Sequence, residues 1–164
     1  MTNKMNQYII AYDLGTGGCK ASLYGTDGNC IADSFISCDT EYPQQGWHEQ
    51  KPADWWDAVV QSTQKLLAAS QVPNNKISAI GISGHSLGLV PVNKNGKLLR
   101  KSVPIWSDSR PTEKELQPFF EKISEEEWYM ITGNGFPPSL YTVFKLMWLK
   151  NNEPEIFDDL HSIL

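Results

Sequence analysis

The apolar run Tyr8-Ile9-Ile10-Ala11-Tyr12 leads directly into Asp13-Leu14-Gly15-Thr16-Gly17-Gly18-Cys19-Lys20, and a second strand-like run, Ala21-Ser22-Leu23-Tyr24, follows without a break. Short apolar runs on both sides of a glycine turn favour a β-hairpin, so this loop joins strand to strand. Two common phosphate-binding motifs are thereby excluded. The P-loop needs glycine immediately before its lysine and a helix after it, whereas Cys19 precedes Lys20 here. The dinucleotide fingerprint likewise requires a strand that opens into a helix.

The residue types at this turn nevertheless suit a metal-bound polyphosphate. A strand-end carboxylate such as Asp13 can hold a hydrated magnesium ion, and Gly15 lets the backbone approach phosphate oxygens. The Thr16 hydroxyl and the Lys20 ammonium add donors to the same anion. Phosphoryl transfer needs little beyond positioning and charge neutralisation. A plain structural turn would account for the glycines equally well, and it is Asp13, Thr16 and Lys20 that shift the reading toward phosphate.

The 164 residues, with 40% hydrophobic and 20% charged, fit one soluble globular domain able to bury a real core. A net charge of −5 argues against nucleic acid or an anionic membrane as partner, and leaves a homodimer open. The start, Met1 to Gln7, is polar, and no apolar run nears the ~20 residues needed to span a bilayer, so the expected location is cytoplasmic. Cys19, Cys30 and Cys38 are odd in number and lack zinc-site spacing, which predicts free thiols.

The pattern along the chain predicts a meander of strands at Tyr8 to Asp13, Lys20 to Tyr24 and Cys30 to Ser37. A helix opens at Pro52, carries Trp55, Trp56, Val59, Val60, Thr63, Leu66 and Leu67 at helical spacing, and stops at Gln71 to Asn75. Ile77 to Ser83 reads as a buried strand and Leu89 to Asn93 as another. Helical patterns follow at Glu113 to Ile123, Glu125 to Met130 and Tyr141 to Lys150, and Leu160 to Leu164 resembles a strand opening. Strands, a crossover helix and further strands imply an α/β layer fold with a mixed sheet.

The Asp13 to Lys20 loop is followed in order by Gly46-Trp47-His48-Glu49-Gln50, Gly81-Ile82-Ser83-Gly84-His85, Trp106-Ser107-Asp108-Ser109-Arg110 and Lys145-Leu146-Met147-Trp148. This ordered set resembles the FGGY carbohydrate kinases, xylulokinase-like members above all. The resemblance implies an actin-like (ribonuclease H-like) ATPase domain with a mixed β-sheet flanked by helices. It makes residues 1–164 the N-terminal domain of a longer enzyme, without the C-terminal nucleotide-binding domain. It implies ATP and Mg2+ as cofactors and a small sugar, such as a ketose, as substrate. Asp13, Gly15, Thr16 and Lys20 would then face the magnesium and the transferable phosphate, with Asp13 the metal ligand.

By the same resemblance Asp108 accepts hydroxyl hydrogen bonds from the sugar and Trp106 supplies an apolar wall. Arg110 is either a further sugar contact or a structural partner for Asp108. Xylulokinases typically carry Gln-Met-His-Gly where this chain has His85-Ser86-Leu87-Gly88. Leu87 therefore stands at the usual sugar-contacting histidine position, and His85 becomes a candidate for that polar contact. The family's general base lies in a Ser-Asp-Ala-Ser-Gly-like segment that has no match here, so no catalytic residue is expected before Leu164 and the short chain alone should be inactive.

Two rival readings exist. Gly84-His85-Ser86-Leu87-Gly88 matches the Gly-x-Ser-x-Gly nucleophile elbow of hydrolases, with Ser86 as nucleophile. That elbow needs a helix at once, whereas Leu89-Val90-Pro91-Val92-Asn93 is strand-like with an early proline. A sugar- or nucleotide-binding actin-like module without catalysis is the second rival, because fold alone does not fix chemistry.

Overall fold

The computed structural model describes residues 7–135 and 137–164; the polar start, Met1 to Asn6, lies outside the described residues. In chain order the strands are β1 (Tyr8–Gly15), β2 (Gly18–Gly25), β3 (Cys30–Ser37), β4 (Glu49–Gln50), β5 (Ile77–Gly84), β6 (Pro91–Val92), β7 (Val103–Pro104) and β8 (Ser162–Ile163). The α-helices are α1 (Pro52–Ser70), α2 (Glu113–Phe120), α3 (Glu125–Thr132), α4 (Thr142–Asn152) and α5 (Pro154–Asp158). The chain divides into two compact units, residues 1–40 with 53–85, and residues 41–52 with 86–164.

The first unit is a mixed sheet in the order β3-β2-β1-β5, with β1 parallel to β5 and the other pairs antiparallel. Strand alternation sends Ile10, Tyr12, Cys19, Ala21 and Leu23 to one face, where they pack with Ala58 and Leu66 of α1. Full burial of side chains such as Leu23 and Leu66 contributes about 1.5–3 kcal/mol each. The predicted meander and helix are thus present, and the three cysteines are free thiols. The helix ends where Gln71 adopts a left-handed φ of 54°, a stop usually made by glycine, two residues ahead of Pro73.

The hairpin turn is tighter than a generic glycine loop. Gly15 pairs with Gly18, leaving only Thr16 and Gly17 between the strands. The positive φ, 148°, falls on Gly18. A Cβ there would stand 2.1 Å from the Ile36 carbonyl oxygen and 2.8 Å from the Ser37 Cα. Because the obstacle is β3 backbone, Gly18→Ala is expected to cost about 2–4 kcal/mol, read as a lowered urea midpoint. An unchanged midpoint would show that β3 yields freely at this point.

The strand at Ile77 differs from expectation in burial. It forms as predicted, but seven of its eight residues, Ser78 to Gly84, are exposed. Strand β5 lies at the end of the strand order, and Ile80 and Ile82 stand 61% and 70% exposed beside a Trp56 that is itself 68% exposed. These residues border an apolar groove of about 500 Å³ that also includes Leu14, Val60 and Leu67. Among the described residues β5 is the last strand in the order, and Ile80 and Ile82 carry neither the charge nor the proline that usually blunts an exposed edge. Ile82→Lys is expected to change folding stability by less than about 0.5 kcal/mol. It should raise the concentration at which light scattering first detects self-association, and no change would show that the edge is already protected.

In the second unit, β4 pairs with β7 and β6 with β8, both antiparallel. The predicted strand at Leu89 to Asn93 narrows to β6, while Leu89 itself is buried with Trp148 and Leu149. The strand-like ending is real: β8 pairs with β6, and Leu164 and Val90 exchange backbone hydrogen bonds at 3.0 and 3.3 Å. Helix α2 ends at Phe120, short of Ile123, and carries Pro118 inside it; the Glu121 N–H still reaches the Gln117 carbonyl at 2.9 Å before the Lys122 N–H tightens onto the Phe119 carbonyl at 3.0 Å. Phe119, Phe120, Trp128 and Tyr141 cluster around the fully buried Phe144 of α4.

Candidate functional site

At the hairpin end of the first unit, Asp13 lies directly opposite Lys20 and in register with Ser83 of β5. All three are exposed, on the sheet face turned away from α1. Directly opposed strand residues place their Cβ atoms about 5 Å apart, so a carboxylate and an ammonium border one small patch. Among the described residues Asp13 and Lys20 form no ion pair with each other. Gly15 and Thr16 are half-buried, Gly17 is exposed, and the Gly17 carbonyl accepts from the Cys38 N–H at 3.1 Å.

This donor set fits magnesium in one particular way. Magnesium is commonly held by one or two carboxylates together with waters and substrate phosphates. Asp13 can supply such a carboxylate, and Lys20 opposite it can receive the phosphate charge. Among the described residues no group of three or more His, Cys, Asp or Glu could cage a metal alone.

The Trp106 to Arg110 segment lies in the second unit, and its geometry revises one expectation. Asp108 is fully buried, not open to a ligand. Its Oδ1 accepts from the Arg110 N–H at 3.1 Å and Nε–H at 2.9 Å; its Oδ2 accepts from the Arg110 guanidinium and the His48 N–H, both at 2.8 Å. Four donors fill the acceptor capacity of one carboxylate. Of the two roles open to Arg110, the geometry fits the structural partner. Its guanidinium also donates to Glu49 at 2.6 Å and lies 4.1 Å and 4.8 Å from the ring centroids of Trp47 and Trp148. Burial opposes its charge, but Asp108 and Glu49 outweigh burial and hold its pKa above the ordinary arginine value.

Glu49 ties this pair to a wider network that its sequence context did not suggest. Its Oε1 also accepts from Arg100 at 2.8 Å, and Arg100 in turn pairs with Glu153. Trp106, by contrast, is 44% exposed, as an apolar wall requires. Neighbouring Ser107 shares a 2.8 Å hydrogen bond with the His48 ring.

His85 follows β5 directly in the first unit, held by its N–H to the Leu14 carbonyl at 3.1 Å and by edge contact with Trp55. Burial lowers its pKa, so the imidazole is neutral at pH 7, with a buried Nδ1 that has no partner among the described residues. Ser86 is exposed in a loop that runs to β6 and not into a helix, so the hydrolase elbow is not formed.

These features match a known pattern. The N-terminal domain pattern of the FGGY family of carbohydrate kinases covers residues 8–164. The chain belongs to this family. It is similar to the xylulose kinase of Klebsiella pneumoniae, 31% identical over 155 residues, covering 94% of this chain and 31% of that protein. Among solved structures it is similar to a xyloylose kinase from Brucella ovis, with TM-score 0.86 and 30% identity over 96% of this chain and 32% of that one. A gluconate kinase from Lactobacillus acidophilus gives TM-score 0.85 and 25% identity over 97% and 31%. The mixed sheet flanked by helices is the actin-like fold of these sugar kinases. The chain spans about a third of the length of the curated relatives it matches. Among the described residues no helix is long and apolar enough to cross a membrane.

One residue of this FGGY domain stood in the sequence only as the start of the Lys145-Leu146-Met147-Trp148 element, with no role assigned. Lys145 of α4 is fully buried, and its ammonium donates to the carbonyls of Leu140 at 2.7 Å, Leu87 at 2.8 Å, Ile105 at 2.9 Å and Trp106 at 3.4 Å. Burial pushes its pKa down to about 8, Asp108 counteracts that and Arg110 adds to it, so the ammonium is charged at neutral pH. A buried ammonium costs several kcal/mol unless its hydration is replaced, and here carbonyls replace it. Leu87 has a left-handed φ of 62°, which costs a non-glycine residue about 1–3 kcal/mol. The only signal in sequence was a lysine inside the apolar helical run Val143 to Leu149.

Proposed function

We propose that this FGGY domain is the N-terminal part of an ATP-dependent carbohydrate kinase that phosphorylates a hydroxyl of a small sugar. The observation that carries this reading is the exposed, directly opposed pair Asp13 and Lys20 at the end of a glycine hairpin, in a chain of this family. Asp13 offers oxygen to Mg2+, while Lys20, Thr16 and the Gly15 backbone bind phosphate. Bound magnesium would supply charge neutralisation for the transferring phosphoryl group. The patch supplies positioning and electrostatics, which phosphoryl transfer chiefly needs.

Trp106 provides the apolar wall for the sugar. Asp108 and Arg110 act one step back: with Glu49 they lock the segment that carries Trp106. Leu87 makes its part of the pocket apolar where xylulokinases place a histidine. The general base for the attacking hydroxyl comes from outside this domain, and closure around the substrates excludes water and limits wasteful ATP hydrolysis. The names of the similar enzymes, xylulose and gluconate kinases, direct the search for substrate to ketoses first and sugar acids second.

The test is ADP release by the complete kinase carrying this domain, measured with xylulose, other ketoses, gluconate and polyols. One of them should exceed the rest by about 10-fold or more in kcat/KM. ADP release that no small sugar stimulates would overturn the reading.

A further inference from the structure

Helix α4 reaches the Leu87 turn from two points on one face. Lys145 donates to the Leu87 carbonyl, and Thr142, one turn earlier, donates from its hydroxyl to the Gly88 carbonyl at 3.1 Å. The same Lys145 nitrogen holds the Ile105 and Trp106 carbonyls, so two turns far apart in sequence meet on a single atom. Among the described residues no carboxylate lies within ion-pair distance of it, and the charged groups that act on it are Asp108 and Arg110. A residue that merely filled this space would be apolar, as its helix neighbours Phe144 and Leu149 are. An ammonium adds fixed direction: its three N–H bonds distribute over four carbonyls from three segments.

We propose that Lys145 is a positioning residue that clamps the Leu87 turn and the Ile105–Trp106 turn together, fixing the spacing of the Leu87 side chain and the Trp106 indole as two walls of the sugar pocket. The clamp stands on the geometry above, whereas its ligand rests on the kinase reading. Leu87 is where the clamp matters most, since a left-handed leucine persists only when its surroundings over-determine it.

The test combines amide exchange with kinetics. In this 164-residue chain, Lys145→Met should accelerate exchange in residues 86–90 and 105–109 by about 30-fold or more, while amides of β1 and β2 stay as they were. Thr142→Val, a milder change, should loosen 86–90 and leave 105–109 untouched. If Lys145→Met does not fold, the wild-type ammonium decides: its 15N-detected protons should exchange slowly, and rapid exchange would overturn the clamp. In the complete kinase, Lys145→Met should raise the KM for sugar about 10-fold and leave the KM for ATP within about 2-fold. Unchanged exchange in a folded variant overturns the clamp, and faster exchange with an unchanged sugar KM overturns its role in the pocket. A wild-type kinase that turns over no small sugar would count against the kinase reading alone, since the exchange measurements judge the clamp independently.

Discussion

Asp108→Ala is expected to lower the thermal midpoint of this domain by about 6–20 °C, a loss of about 3–5 kcal/mol at the few degrees per kcal/mol usual for chains of this size. Removing the carboxylate strips Arg110 of three hydrogen bonds and leaves its guanidinium buried, with Glu49 as remaining anionic partner. The His48 N–H also loses its acceptor. Breaking one side of a buried ion pair costs far more than the pair itself contributes, because the surviving charge has nowhere to be solvated. The companion measurement is Asp108→Ala combined with Arg110→Met. The double variant should be more stable than the sum of the single losses implies, by about 1–3 kcal/mol. A midpoint unchanged in Asp108→Ala would mean that the network is incidental, and would return Asp108 to the sugar pocket.

On the proposed kinase reading, Asp13→Ala in the full-length protein should have the opposite profile. Asp13 is exposed at the end of β1 and has no ion-pair partner among the described residues, so folding stability should shift by no more than about 0.5 kcal/mol. Turnover should fall about 100- to 1,000-fold, the usual consequence of deleting one preorganised charge-stabilising group, with the KM for sugar nearly constant. Extra Mg2+ should restore part of the rate, since the lost group is a metal-facing oxygen. Retention of most of the turnover would remove Asp13 from the phosphate site. The two experiments are expected to separate the aspartates, Asp108 through stability and Asp13 through turnover.

The two looked alike in sequence, and the reason is instructive. Each precedes small or polar residues after a short apolar run, and each is followed by a basic side chain, Lys20 seven positions on and Arg110 two. What distinguishes them is solvent. Asp13 and Lys20 face outward from neighbouring strands, whereas Asp108 and Arg110 fold back on each other beneath two tryptophans. Trp47 packs edge-on against Trp148, and the Arg110 guanidinium lies against both rings. Strand β5 shows the converse: Ile80 and Ile82 read as core, yet among the described residues they are 61% and 70% exposed. Hydrophobic periodicity reports what a segment can bury, not whether a neighbour is there to cover it.

The chain order of short-range signals was enough to determine the hairpin, its glycine turn, the amphipathic helix after Pro52 and the family, because each depends on residues within a few positions of one another. Only the tertiary structure decided which charges are buried, since Asp108, Arg110, Glu49 and Arg100 meet across intervals of up to 61 residues. The same holds for Lys145, whose acceptors lie as far as 58 residues away. The free energy of a charge is set by the dielectric and the partners that surround it in space, and neither is written in its immediate sequence.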